Sequence, residues 1–314
     1  SRSTSLPTVV TALLDPDALG GAQAADVVAV RDLRIPRTVI GLLVGAALGL
    51  AGVVMQGVTR NPIADPGLLG VNAGAAFAVV LGLSVAGVTS VLGLAAFALV
   101  GALAAAALIA AVAGSARAGT SPALLVVAGA AVTAGLTSLT ILVLLGDPEA
   151  LDRFRFWTVG ALTGRSLDAA GTLAPVLAVG AVTALGLARA LDALALGDDV
   201  ARGLGFRLAP TRTLAMAAIV LLCGTATALA GPLVFVGLVG AHGARALVGG
   251  GHLRLLPVAA LLKDAVHQHN HGAHIINSNI LAHFRVPQAF SYEPASREKL
   301  IQPEKQPAGS FTAK

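Results

Sequence analysis

Residues Arg34–Gly70 read RIPRTVIGLLVGAALGLAGVVMQGVTRNPIADPGLLG: two arginines around Ile35-Pro36, no further charge until Arg60, then an Asn-Pro and an Asp-Pro step. A helix crosses the apolar core of a bilayer with about 20 consecutive apolar residues. Thr38–Thr59 meets that requirement. Gly41, Gly45 and Gly49 recur every fourth residue, with Gly52 one turn further. Small residues at this spacing let helix backbones approach closely where lipid removes the hydrophobic drive for association. Close packing is therefore expected of this helix, whereas a general alanine and glycine bias accounts for the later ones.

The rest of the 314-residue chain agrees: 56% is hydrophobic and only 12% charged. A soluble domain carries roughly 25% charged residues, and an ionisable side chain at mid-membrane costs about 2.5–3.5 kcal/mol on insertion scales. Uncharged runs also occupy Pro66–Ala116, Ala118–Gly146, Ala169–Ala188 and Thr213–Ala244. The fold class is all-α, a polytopic helical membrane protein with about seven spans, near 36–58, 67–84, 89–113, 122–145, 168–188, 211–230 and 233–248.

The net charge of +5 does not indicate nucleic acid. The arginines stand singly at span ends, where they anchor helices against anionic lipid, and no basic face is interleaved with aromatics to stack bases. The lone Cys223 excludes an internal disulfide framework. No signal peptide is evident, and the first residues of the natural protein are expected to be missing.

An outside N-terminus places Arg60, Arg117, Arg189, Arg202, Arg207, Arg212, Arg245 and Arg254 on the cytoplasmic side. Arg31, Arg34, Arg37, Arg153, Arg155 and Arg165 then lie outside, so the positive-inside rule favours this orientation only slightly. It makes 1–35 an extracytoplasmic segment and 36–262 the transmembrane domain. Composition changes after Leu262: no lysine precedes Lys263, while Lys263, Lys299, Lys305 and Lys314 follow, with Tyr292 and five of the seven histidines. Positions 263–314 are expected to be an unrelated, poorly ordered tail, replacing a helix begun at Leu255–Leu262.

Three polar stretches carry candidate chemistry. Pro36 suits the first turn of a helix, and Arg34 and Arg37 beside it can accept carboxylates from a partner or anchor to headgroups. Asn61-Pro62-Ile63-Ala64-Asp65-Pro66-Gly67 makes a rigid connector, because each proline steers its predecessor away from helix and Asn and Asp satisfy nearby backbone N–H groups. Rigid turn and pore gate both fit. In "ALGDDVARGLGFRLAPTR", Ala195–Arg212, Asp198 and Asp199 suit a helix N-terminus, and Gly203 and Gly205 end that helix. The result is a short helix held between spans, shaped to dock into a groove on another protein or to serve as an interfacial loop.

With these residues in hand, the chain resembles the FecCD-type permeases, the membrane subunits of ABC importers for iron–siderophores, haem and corrinoids. The blocks are "RIPRTVIGLLVGAALGLAGVVMQGVTRNPIADPGLLGVNAGA", "FWTVGALTG", "LALGDDVARGLG", "GPLVFVGLVGAHGAR" and "GGGHLRLLP", in the family's order, and they sit within about Thr8–Leu262. The resemblance implies a ten-span fold in a bacterial cytoplasmic membrane, with this chain lacking the first span and the last two. It implies a homodimer or heterodimer with a second permease subunit, ABC ATPase subunits that hold ATP and Mg, an extracytoplasmic substrate-binding protein, and a metal-chelate substrate.

By the same resemblance, Arg34 and Arg37 receive acids of the binding protein. Gly197, Asp198, Asp199, Val200, Ala201, Arg202, Gly203, Leu204 and Gly205 form the coupling helix that inserts into the ATPase. Met55, Gln56, Asn61 and Ile63, with Thr120 and Ser121 of "AGTSPALL", lie near the gate or pathway. Two departures stand out: Gly240-Ala241-His242-Gly243 lacks the family's usual proline before the histidine, and Gly251 replaces the acid before His252. His242 and His252 are accordingly expected to be solvated span-end residues.

The chain is not expected to be an enzyme. No G-x-x-x-x-G-K-[ST] loop cradles phosphates, and no H-E-x-x-H or G-x-S-x-G appears. No cofactor is expected on this chain. In "HQHNHGAH", His267, His271 and His274 share a helical face and have metal-ligating chemistry, but Gly272 breaks that helix and no metal site is assigned. An ion-coupled secondary transporter is the alternative reading. It ordinarily needs ionisable residues inside the bilayer, and no span holds an Asp, Glu, Lys or Arg near its middle. A non-transporting permease fragment is the other alternative.

Overall fold

The computed structural model describes residue 11 and residues 27–114, 122–158 and 167–268, and every regular element among them is helical. A π-helical turn, Ala29–Arg34, leads without a break into α1, Ile35–Thr59. A 3-10 turn, Pro66–Leu69, precedes α2, Val71–Ser84. Then come α3 (Val91–Gly114), α4 (Pro122–Leu145), the surface helix α5 (Pro148–Thr158) and α6 (Leu167–Gly186). Two short helices, α7 (Ala188–Ala195) and α8 (Asp198–Gly203), connect to α9 (Leu208–Ala230). The described chain closes with α10 (Val236–Val248) and α11 (His252–Gln268).

Among the described residues, five helices are long and apolar enough to cross a membrane: Ala29–Thr59, Val91–Val112, Val126–Leu145, Leu167–Gly186 and Leu208–Ala230. The expected spans 67–84 and 233–248 require correction. Helix α2 has 14 residues and α10 has 13, which at about 1.5 Å per residue gives roughly 20 Å of helix against a core of about 30 Å. The reason is local. Pro66 and Gly70 (φ 72°) interrupt the first, while Gly231 (φ 86°), Pro232 and Phe235 (φ 63°) interrupt the second. Each of these segments enters the bundle as irregular backbone and turns helical only part-way through it. Helix α11 continues across Lys263 to Gln268; positions 269–314 lie outside the described residues.

Helix α1 is the hub. It packs against α6, α9, α10 and α11, and 72% of its apolar window is buried, against 17% for α4. The glycine pattern explains how closely α10 and α11 approach it. A Cβ on Gly49 would run into the Ala259 carbonyl of α11, and one on Gly52 into the Gly237 carbonyl of α10. Lower down, a Cβ on Gly57 would sit 2.8 Å from His252 Nε2. The same device joins α2 to α3, where Gly74 and Gly101 each face the other's carbonyl oxygen. Around this centre, α4 turns Val127, Ile141 and Leu142 outward, and α6 turns out Val179 and Val182, the apolar exterior a bilayer accepts.

Overpacking a close contact costs about 1–3 kcal/mol. Gly52→Val is therefore expected to lower the unfolding temperature of the detergent-solubilised protein by several degrees. Gly135→Ala, on α4 with no atom near the added carbon, is expected to leave it unchanged or raise it.

Candidate functional site

The richest polar region gathers where α1 ends. Arg60 follows the last turn in the left-handed conformation (φ 51°), aiming the next residues out of the helix axis. Asn61 then folds the chain on itself: its side-chain Oδ1 accepts from Ile63 N at 3.1 Å and its carbonyl from Ala64 N at 3.1 Å. Asn61 and Ile63 are exposed, but Ala64, Asp65 and Pro66 are buried. Asp65 caps the 3-10 turn, accepting from Gly67 N at 2.8 Å. The connector is thus half surface turn and half a wedge driven into the bundle. Pro66 packs where a Cβ on Gly237 would be, 3.1 Å from its ring. Thr227 of α9 steadies the start of α2, its hydroxyl 2.8 Å from Asn72 Oδ1.

Beside the Arg60 end stands the α7–α8 lever. Helix α7 buries Leu191 and Leu194 completely, Gly197 (φ 113°) breaks it, and α8 follows. Only Ala201 of α8 is buried; Val200, Leu204 and Arg202 are exposed, and the Asp199 side chain is 98% accessible. The chain then turns back through a bond from Phe206 N to the Ala201 carbonyl, 3.0 Å. Six of the nine residues Gly197–Gly205 are exposed, so the segment stands out from the bundle as a knob.

Asp198 departs from the rest of α8. It reaches inward and joins two arginines from other helices: Arg60 Nη2 bonds its Oδ1, and Arg212 Nη2 of α9 lies 3.0 Å from both carboxylate oxygens. Asp199 instead pairs locally with Arg202 at 2.8 Å. Sequence reasoning treated the two acids alike. What separates them is contact with Arg60, 138 residues away, which no local spacing reveals.

A second tie corrects the reading of His252. This residue is 5% exposed, not solvated. Asp192 of α7 accepts from its backbone N at 2.9 Å and lies 2.7 Å from its Nδ1, so the same carboxylate oxygen caps α11 and holds the imidazole against Gly57. The acid missing from the position before the histidine is supplied by α7. His242 is exposed.

Arg34 and Arg37 are exposed at the far end of α1, separated from Arg60 by about 35 Å of helix. Met55 and Gln56 are enclosed in the bundle at 2% and 3% exposure. Neither Gln56 amide atom has a hydrogen-bond partner among the described residues. Thr120, Ser121, His271 and His274 lie outside the described residues, as does the His267 side chain. Among the described residues no group of His, Cys, Asp or Glu is arranged to hold a metal ion. At the Arg34 end, Asp147 caps α5 through Ala150 N at 3.0 Å, and that backbone bond holds its carboxyl below the usual carboxylate range. An apolar groove of about 330 Å³ runs between α3 and α9, lined by Leu103, Ile109, Met216 and Val220 among others. Its one polar side chain, Thr213, bonds to the Ala209 carbonyl, so the groove offers nothing to grip a charged chelate.

These features define a polytopic membrane protein whose spanning helices are tied to an exposed lever at one end. Residues 2–266 match the model of the FecCD transport family, and the chain belongs to that family. It is 48% identical over 248 residues to the ferric enterobactin transport system permease protein FepD of Escherichia coli, covering 79% of this chain and 74% of that protein. Identity is 37% over 235 residues to the probable siderophore transport system permease protein YfiZ of Bacillus subtilis, covering 75% and 71%. It is 34% over 259 residues to the cobalamin import system permease protein BtuC of Halobacterium salinarum, covering 82% and 69%. Among solved structures, an inward-facing conformation of a metal-chelate type ABC transporter superposes with a TM-score of 0.70 at 27% identity, covering 83% of this chain and 84% of that one.

Loss of a helix cap costs about 0.5–2 kcal/mol, and here a buried imidazole would lose its partner as well. Asp192→Ala is accordingly expected to lower the unfolding temperature measurably in detergent. Asp199→Ala, which removes only an exposed i,i+3 pair, is expected to leave it within error.

Proposed function

We propose that this chain is the membrane-spanning permease subunit of an ABC importer that moves a metal chelate or corrinoid (a ferric siderophore, haem or a cobalamin-type ligand) inward across a bacterial cytoplasmic membrane. The observation that carries this reading is the exposed α8 knob at the Arg60 end of a FecCD-family bundle. Such a knob gives a separate ATPase a solid grip on helices that cross the membrane. ATP and Mg belong to that ATPase, and this chain holds no cofactor of its own.

On this reading the Arg60 end faces the cytoplasm and the Arg34 end faces outward. A binding protein delivers the chelate by setting carboxylates on Arg34 and Arg37, with a second permease subunit completing the docking platform. ATP binding closes the ATPase pair and pushes on Gly197–Gly205, which biases the bundle between outward and inward openings because the two states differ in ATP affinity. Asn61 and Ile63, on the exposed half of the connector, stand near the cytoplasmic gate, a role that the family resemblance also gives Thr120 and Ser121. Met55 and Gln56 sit one to two turns above it on α1.

The test is uptake into proteoliposomes holding the permease with its ATPase and binding protein, offering a ferric siderophore, haem and a corrinoid in turn. ATP-dependent accumulation of one of them is expected, and accumulation driven by an ion gradient without ATP would overturn the reading. Hydrogen bonds to charged groups are worth about 1.5–3 kcal/mol. Reversing both arginines (Arg34→Glu with Arg37→Glu) should therefore weaken binding-protein docking at least tenfold, while the ATPase still copurifies. Unchanged docking would remove that role from the pair.

A further inference from the structure

We infer that Asp198 with Arg60 and Arg212 is a transmission joint: the one carboxylate through which movement of α8 is passed to α1 and α9 together. The inference rests on the reading of α8 as the ATPase-facing lever and assigns positioning roles to Arg60 and Arg212, neither of which needs to touch a partner.

Apart from this cluster, α8 is held only lightly. It buries a single residue, Ala201, and packs chiefly on α7 and α9. Glycines with positive φ flank it at Gly197 and Gly205 and turn the chain sharply at both ends. The Arg60–Asp198 bond connects it directly to the hub helix. Arg60 also begins the Asn61–Gly70 connector, whose buried half wedges against α10, so a pull on Arg60 acts on the connector as well.

Stability alone does not account for the Arg60 contact. The Arg60 and Asp198 side chains are 39% and 29% accessible, against 18% for Arg212, and exposed ion pairs are worth only about 0–1 kcal/mol. Arg212 is drawn to Asp198 although its own Nε is left buried without a partner among the described residues. A carboxylate shared by two arginines from separate spanning helices acts instead as a directional link. It resists separation of three elements at once, and it offers two discrete arrangements if one arginine is released.

The experiment uses the full importer in proteoliposomes and reads substrate imported per ATP hydrolysed, alongside ATPase copurification and unfolding temperature. Arg60→Gln and Arg212→Gln are each expected to lower the import-to-hydrolysis ratio fivefold or more, with the ATPase copurifying as in wild type. Arg60→Lys, which keeps the charge, should restore at least half of the ratio. Adding Asp198→Asn to Arg60→Gln should cost less than the two separate losses multiplied, because both break one link. The joint is overturned if the ratio of Arg60→Gln equals wild type, if it falls only in proportion to lost folded protein, or if the ATPase no longer copurifies. The last result would make Arg60 a docking residue. Wild-type protein that imports nothing with ATP would instead sink the transport reading, and the joint with it.

Discussion

Gly52 of α1 lies against the backbone of Gly237 with no side chain between them, and the architecture follows from that approach. In lipid, helices gain little from burying apolar surface against one another, so association depends on dispersion at close range and on satisfied polar groups. A hub helix with Gly49, Gly52 and Gly57 in its lower half can bring α10 and α11 near enough for backbone contact. Side chains of ordinary size there would force those helices outward and uncouple the bundle's centre from its lever.

That close approach also makes room for broken spans. The connector Asn61–Gly70 and the segment Gly231–Phe235 carry irregular backbone into the bundle, where Pro66 packs beside Gly237. Unpaired backbone is tolerated at membrane depth only where protein buries it or where it lines a wet cavity. Here the Asp65 carboxylate accepts from the Gly67 N–H, and the Asn61 carbonyl accepts from the Ala64 N–H. Short α10 consequently begins next to the hub, where Gly237 meets Gly52.

Much of this was legible in the sequence. The uncharged runs, the glycine spacing of Arg34–Gly70 and the Asn-Pro and Asp-Pro steps each point to structure through local rules, and each of those rules operates here. Pro66 and Pro232 mark the two breaks, yet hydropathy alone joins the residues beyond them into apparent full spans, because apolar composition continues across an irregular segment. Long-range pairing was illegible. Asp198 and Asp199 differ only in what they meet, and Gly251 conceals the fact that Asp192 holds His252 from another helix. Charged ties between helices depend on the packed bundle, so they become visible only once the helices are placed.

The central claim is that α8 is the surface on which a separate ATPase works. Photo-crosslinking tests it most directly. A photoreactive residue placed at Val200 or Leu204, both exposed on the knob, is irradiated in membranes containing the assembled transporter. The account predicts a covalent adduct with the ATPase subunit from either position, changing in yield when ATP is added, and none from Val127 on the outer face of α4. Adducts absent from α8, or formed equally from Val127, would contradict it.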